Sequence, residues 1–296
     1  MKCHSIIIAC IAGLVLVFQA CSQNEDAGAP LADAYAMRFS THYPGQTRVA
    51  NNAFEQGDTI GLFVAKDSLP LEPGGNTVNN EALTNSGKVW TPAKKLYWDD
   101  GAYTAYAYYP YKKEVMNVED MPVSVCLDQT TAKTATALGG YEASDLLWAH
   151  TTGIHASADP VPLLFSHVMS KLTIRLIKGE GYEGELPDDA EVYVHNTVPT
   201  ATFDLAAGVV TKAPKGTRAS IRAHQDAPTM FSAIVVPQRL STRVPLVEVV
   251  AKGVSYLYES RFVFKPGVNH LVNLVLSDNP EQVKINIGGE IEGWNE

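Results

Sequence analysis

Three histidines, His150, His155 and His167, fall within one short stretch of the chain, and imidazoles so close in sequence are the first place to look for a metal site. Their spacings fit no helical ligand pair, and no cysteine or paired carboxylate joins them, so the pattern does not carry metal chemistry. Asp99 and Asp100 could be read as paired acids for glycoside hydrolysis. Neighbouring turn residues point apart, however, and Gly101 after them makes turn formation a sufficient explanation. Cys126 could act as a nucleophile with a distant histidine, but it stands in Val123-Ser124-Val125-Cys126-Leu127, where a small apolar core residue is the ordinary occupant. No phosphate-binding glycine loop and no nucleophile elbow occurs. These residues predict a protein that is not an enzyme and uses no cofactor and no metal.

Cys21 has the clearest chemical assignment. Lys2 precedes an apolar run from Ile6 to Phe18, which has the length of a signal peptide and is too short to span a bilayer as a helix. Gln19-Ala20-Cys21 then resembles the lipobox at which lipoprotein signal peptidase cuts before a cysteine is acylated, with Phe18 standing where leucine is usual. The expectation is a signal peptide over residues 1–20, a lipid such as palmitate on the Cys21 thiol, and a polar, acidic linker over 21–34 that tethers the rest of the chain to the outer membrane. Cys3 and Cys10 lie in the signal, which leaves Cys126 alone and excludes a disulfide framework.

The elements that would have to position any site are strands. The chain has 296 residues, 46% of them hydrophobic, and a formal net charge of −9, which allows two apolar cores and disfavours nucleic acid as a partner. Periodicity of two dominates: Thr59 to Ala65, Lys171 to Leu176, Met230 to Val236 and Val283 to Ile287 read as strands, with Leu172, Ile174 and Leu176 on one face. Asp99-Asp100-Gly101 is expected to close a hairpin between Lys95–Trp98 and Ala102–Tyr109, and Pro266-Gly267 a second between Arg261–Phe264 and His270–Leu276. The aromatics around Trp90, Trp98, Tyr103, Tyr106, Tyr108, Tyr109 and Tyr111 are expected mainly in a core, a minority in an exposed patch. Short strands punctuated by Gly, Pro and Asn predict an all-β protein of two antiparallel β-sandwich domains in tandem, residues 35–158 and 159–296, joined near His155–Pro160.

Five segments in order then resemble the fimbrillin family, in its minor-fimbrillin branch. They are Phe54-Glu55-Gln56-Gly57-Asp58-Thr59-Ile60-Gly61-Leu62-Phe63; Trp98 with Tyr106 through Pro110; Leu164 through Thr173, containing Phe165, His167 and Lys171; Ala233 through Gln238, ending in Pro237-Gln238; and Ile291-Glu292-Gly293-Trp294. Glu25 and Asp26 also resemble the surface-export signal of Bacteroidetes-type lipoproteins. The resemblance implies transthyretin-like topology and a place in a surface fimbrium as stalk subunit, anchor or tip adhesin. It also implies other fimbrial subunits as partners, and a receptor on a host or bacterial surface. In the family the first strand fills an apolar groove until an arginine-directed protease cuts after it, and another subunit's strand replaces it. Here that strand corresponds to Tyr35–Tyr43, and the following Gly45 to Val49 makes Arg48 the candidate cleavage residue, or else a solvated loop arginine. A glycan-binding lipoprotein of a nutrient-uptake system would share the lipobox, sandwiches and aromatics, and is the competing reading.

Overall fold

The computed structural model describes residues 35–43, 53–87, 89–277, 284–291 and 294. Cys21, Arg48 and the signal segment lie outside the described residues. The fold is all-β; among the described residues there is a short 3-10 turn at Glu142–Ser144 and no helix long and apolar enough to cross a membrane.

In chain order the first nine strands are β1 (Phe39–His42), β2 (Thr59–Lys66), β3 (Val78–Asn85), β4 (Trp90–Pro92), β5 (Ala102–Tyr109), β6 (Met121–Ser124), β7 (Leu147–His155), β8 (Val161–Leu164) and β9 (Ser166–His167). There follow β10 (Ser170–Lys178), β11 (Glu191–Thr197), β12 (Thr200–Asp204), β13 (Val209–Lys212), β14 (Ala219–Arg222) and β15 (His224–Ala227). The last five are β16 (Met230–Val235), β17 (Gln238–Ala251), β18 (Val254–Phe264), β19 (Asn269–Leu276) and β20 (Lys284–Ile291). Pairing is mainly antiparallel, with β1–β8 and β10–β19 as parallel pairs.

The first half is built on a sheet in the order β4-β3-β2-β5-β7-β9. Its central strands are apolar on both faces because both are covered. On β5, Tyr103, Ala105, Ala107 and Tyr109 enter a first core capped by the β1–β8 pair, whereas Tyr108 enters the second core. On β2, Ile60, Leu62 and Val64 alternate with Phe63 and Ala65 in the same way. The second core lies between the sheets β15-β16-β10-β19-β20 and β14-β11-β17-β18, with β13-β12-β6 beside them. Leu172, Ile174 and Leu176 of β10 are buried in it; on the opposite face Arg175 is exposed, but Thr173 is buried as well and donates to Asn269 Oδ1 at 2.8 Å.

Around residues 155–160, where the sequence suggests a joint, Val161, Leu163 and Phe165 still belong to the first core, while Val168 and Met169 belong to the second. Earlier in the chain, β6 pairs with β12 rather than with any strand of the first half. The first sheet also reaches the second core through β7: Trp148 donates to the Leu205 carbonyl at 2.8 Å, and a Cβ on Gly208 would stand 2.5 Å from the Trp148 ring. Only glycine permits that approach.

Neither expected hairpin forms. β5 pairs with β2 and β7, and the segment before Asp99 instead reaches the N-terminal segment, with an Ala36–Tyr97 bridge and a bond from Trp98 N–H to the Tyr35 carbonyl. Similarly, β18 pairs with β17 and β19 with β10 and β20, so the Pro266-Gly267 turn carries the chain from one sheet to the other across the second core. In both cases the turn chemistry holds, with Gly101 and Gly267 at positive φ. The partner differs, because a turn and an alternation specify a reversal and a face but not the neighbouring strand.

Candidate assembly site

Among the described residues, the chemistry-bearing side chains do not converge on a catalytic centre. His150 is exposed and lies against Trp148 and Tyr106, His155 is exposed, and His167 is buried. Among the described residues no group of three or more His, Cys, Asp or Glu side chains could hold a metal ion. Asp99 and Asp100 are exposed at the start of β5. Cys126 is half-buried, its backbone N–H donating to Ser144 Oγ at 2.8 Å.

What does converge is the seat of the N-terminal strand. The parallel register sets Phe39 opposite Val161 and His42 opposite Leu164. The Val161 N–H donates to the Arg38 carbonyl at 2.8 Å and the Phe165 N–H to the His42 carbonyl at 3.1 Å. The Met37 N–H donates to the Leu96 carbonyl at 2.9 Å. Met37 and Phe39 point inward and are buried, Arg38, Ser40 and His42 are exposed, and Trp90 Nε1 donates to Thr41 Oγ1 at 2.7 Å. Phe39 packs 6.2 Å from Trp98, which lies 5.2 Å from Tyr103. The strand therefore supplies the apolar side chains that complete the first core, and it is held by backbone bonds, two inward residues and one indole bond.

Four of the five sequence segments meet where this strand ends. Gly57 takes φ +95, which lets the turn fold back so that Asp58 accepts the Glu55 N–H at 2.8 Å and sits beside Tyr109 and Lys133. Phe54 is thereby aimed into a ring cluster, 5.1 Å from Tyr43, 5.1 Å from Trp90, 5.6 Å from Tyr109 and 5.2 Å from Phe165. His167 follows, its Nδ1 2.8 Å from Asp145 Oδ1 and its ring stacked 4.0 Å from Trp294. The fifth segment works elsewhere: Gln238 accepts the Val198 N–H at 2.9 Å and donates to its carbonyl at 3.1 Å, sealing a buried backbone gap.

Beside Tyr43 a polar cleft of about 280 Å3 opens between the two halves, lined among others by Asp58, Tyr109, Tyr141, Asp145 and Lys171. The Tyr43 and Tyr109 phenols are pushed well above their ordinary pKa, first by burial and then by nearby carboxylates, those of Asp145 for Tyr43 and of Asp58 and Asp145 for Tyr109. Both act here as neutral donors. Sequence reasoning missed Asp145 altogether, since a single acid in Ser144-Asp145-Leu146 carries no local signal.

Known proteins share this fold. The fimbrillin-like family matches residues 47–294. A proposed fimbrium subunit of Bacteroides uniformis is 24% identical over 310 residues, covering 99% of this chain and 96% of that protein. A proposed fimbrium tip subunit of Bacteroides ovatus is 30% identical over 134 residues, a match that covers 42% of this chain but only 24% of that protein's length. Among solved structures, a proposed cell adhesion protein from Bacteroides ovatus superposes with a TM-score of 0.66 at 18% identity, covering 87% of this chain and 97% of that one. Another from Bacteroides uniformis gives 0.63 at 20% identity, covering 86% and 97%. At those identities the superpositions speak for the fold. With the family matched over most of its length, this chain belongs to the fimbrillin-like family.

Proposed function

We propose that this chain is a non-enzymatic subunit of a surface fimbrium, exported as a lipoprotein, tethered to the outer membrane through acylated Cys21, and active in assembly and adhesion. Cleavage after Arg48 separates β1 from the rest of the chain, and a strand from another subunit takes its seat. The observation that carries this reading is the seat itself: a four-residue strand that completes the first core, attached to one parallel partner and preceding the candidate cleavage residue. Once residues up to 48 are a separate peptide, only non-covalent bonds retain Phe39–His42, and the vacated groove presents the unpaired edge of β8 together with exposed apolar surface. A groove of that kind favours addition of an extended strand with alternating apolar residues.

The experiment is mass spectrometry of the N-terminus in fimbriae purified from the cell surface. A mature terminus at Val49 is expected in the assembled protein, and an acylated Cys21 in the unassembled precursor. Assembled protein that still begins at Cys21 overturns strand exchange at β1 and leaves a lipid-anchored subunit.

A further inference from the structure

The two ends of the described chain meet at a single buried carboxylate–imidazole pair. At the N-terminal end, the Tyr43 hydroxyl donates to Asp145 Oδ2 at 3.5 Å, and its ring stands edge-on to the His167 imidazole, 5.8 Å between centroids. At the C-terminal end, Trp294 stacks on that imidazole, 4.0 Å away and 15° from parallel. Asp145 Oδ1 joins the two contacts by its 2.8 Å bond to His167 Nδ1. Asp145, His167 and Trp294 are 7%, 3% and 6% exposed. Tyr43 directly follows β1, whereas Trp294 follows β20, which lies at one end of its sheet and, among the described residues, pairs only with β19. The terminal strands belong to different sheets, and this run of side chains connects them.

We propose that the Asp145–His167 pair is a latch coupling the seating of the N-terminal strand to the seating of the C-terminal one. The imidazole touches one ring nearly perpendicular to it and one nearly parallel to it. Withdrawing Tyr43 removes the perpendicular ring and the hydroxyl bond, admits water to the Asp145 carboxylate and lets the imidazole reorient, so Trp294 loses the surface on which it stacks. An edge strand with ladder bonds on one side opens readily once its end is unpinned. The coupling runs equally in reverse, since a free-energy linkage between two sites is reciprocal. Under the assembly reading, on which this use of the latch rests, emptying the strand seat would prepare the tail of the same subunit for release.

Hydrogen–deuterium exchange on the full chain tests the latch without requiring cleavage or polymer. Tyr43→Ala is expected to speed exchange of the amides in 284–291 about tenfold while leaving β10 amides unchanged, and Trp294→Ala to speed exchange in 39–42 by a similar factor. Tyr43→Leu, which keeps apolar volume and loses the hydroxyl and ring, replaces the alanine variant if that one does not fold. Exchange in 284–291 within twofold of wild type, or a rise matched in β10, overturns the proposal. An N-terminus retained at Cys21 in fimbriae would not affect this result, so the two ideas fail separately.

Discussion

Three tyrosines make the folded state sensitive to alkali. Burial raises the phenol pKa of Tyr43, Tyr108 and Tyr109. For Tyr108, its hydrogen bonds with the Lys112 backbone and the Asn80 side chain work in the opposite direction without cancelling the rise. A phenol with a raised folded-state pKa stays protonated in the native protein while the unfolded chain ionises near the ordinary value of about 10. The native state then binds more protons, so the stabilisation is complete below that pH and is lost as pH rises above it. The melting temperature is therefore expected to drop steeply above about pH 10, and phenolate absorbance to rise together with loss of near-ultraviolet circular dichroism. Smooth phenolate titration with intact tertiary signal would contradict the burial assigned to these rings. The aromatic cluster was legible in the sequence as core, because a two-layer protein needs large side chains between layers. His167 was legible only as a motif position and as a weak metal candidate. Its partner Asp145, 22 residues away in the chain, is brought to it by the pairing of β7 with β9, which no local spacing encodes.

Among the strands, β10 and β1 mark opposite ends of a range. β10 is flanked by β16 and β19, and its alternation sends Leu172, Ile174 and Leu176 into the second core. Ile174→Ala is expected to lower unfolding free energy by about 3 kcal/mol, by lost transfer energy and an unfilled cavity. Arg175→Ala, one residue on and exposed, should change it by less than about 0.5 kcal/mol in the same urea titration. Equal effects would mean that the strand's faces are misassigned. The sequence revealed such strands because period two marks the core face, although Thr173 on the opposite face is buried too. It could not reveal that Lys95–Trp98 would join the N-terminal segment, or that β19 would lie parallel to β10, because partner choice depends on non-local closure of the cores.

Over the whole molecule, the central sheet of the first half is sandwiched, with Ile60 and Tyr103 facing the β1–β8 layer while Phe63 and Tyr108 face the second core. The pairing of β6 with β12 and the approach of Trp148 to Gly208 add a backbone ladder and a close-packed indole to the same boundary. Neither half can open there without exposing large apolar side chains, and removing such surface from water is the main force that stabilises a fold. Unfolding is thus expected to be a single cooperative transition. Tryptophan emission serves as one probe, because Trp98 lies in the first core, Trp294 in the second and Trp148 packs against it. Far-ultraviolet circular dichroism reports all strands at once, and the two guanidinium titration curves should superimpose. A fragment ending at residue 158 should show no cooperative transition, since it would carry β6 without β12, lack β8, and leave Phe63 and Tyr108 bare. Separated transitions, or a fragment that melts sharply alone, would mean that the halves are autonomous. In that case a change at the β1 seat could not be felt in the second core, where the chain's other end is fastened.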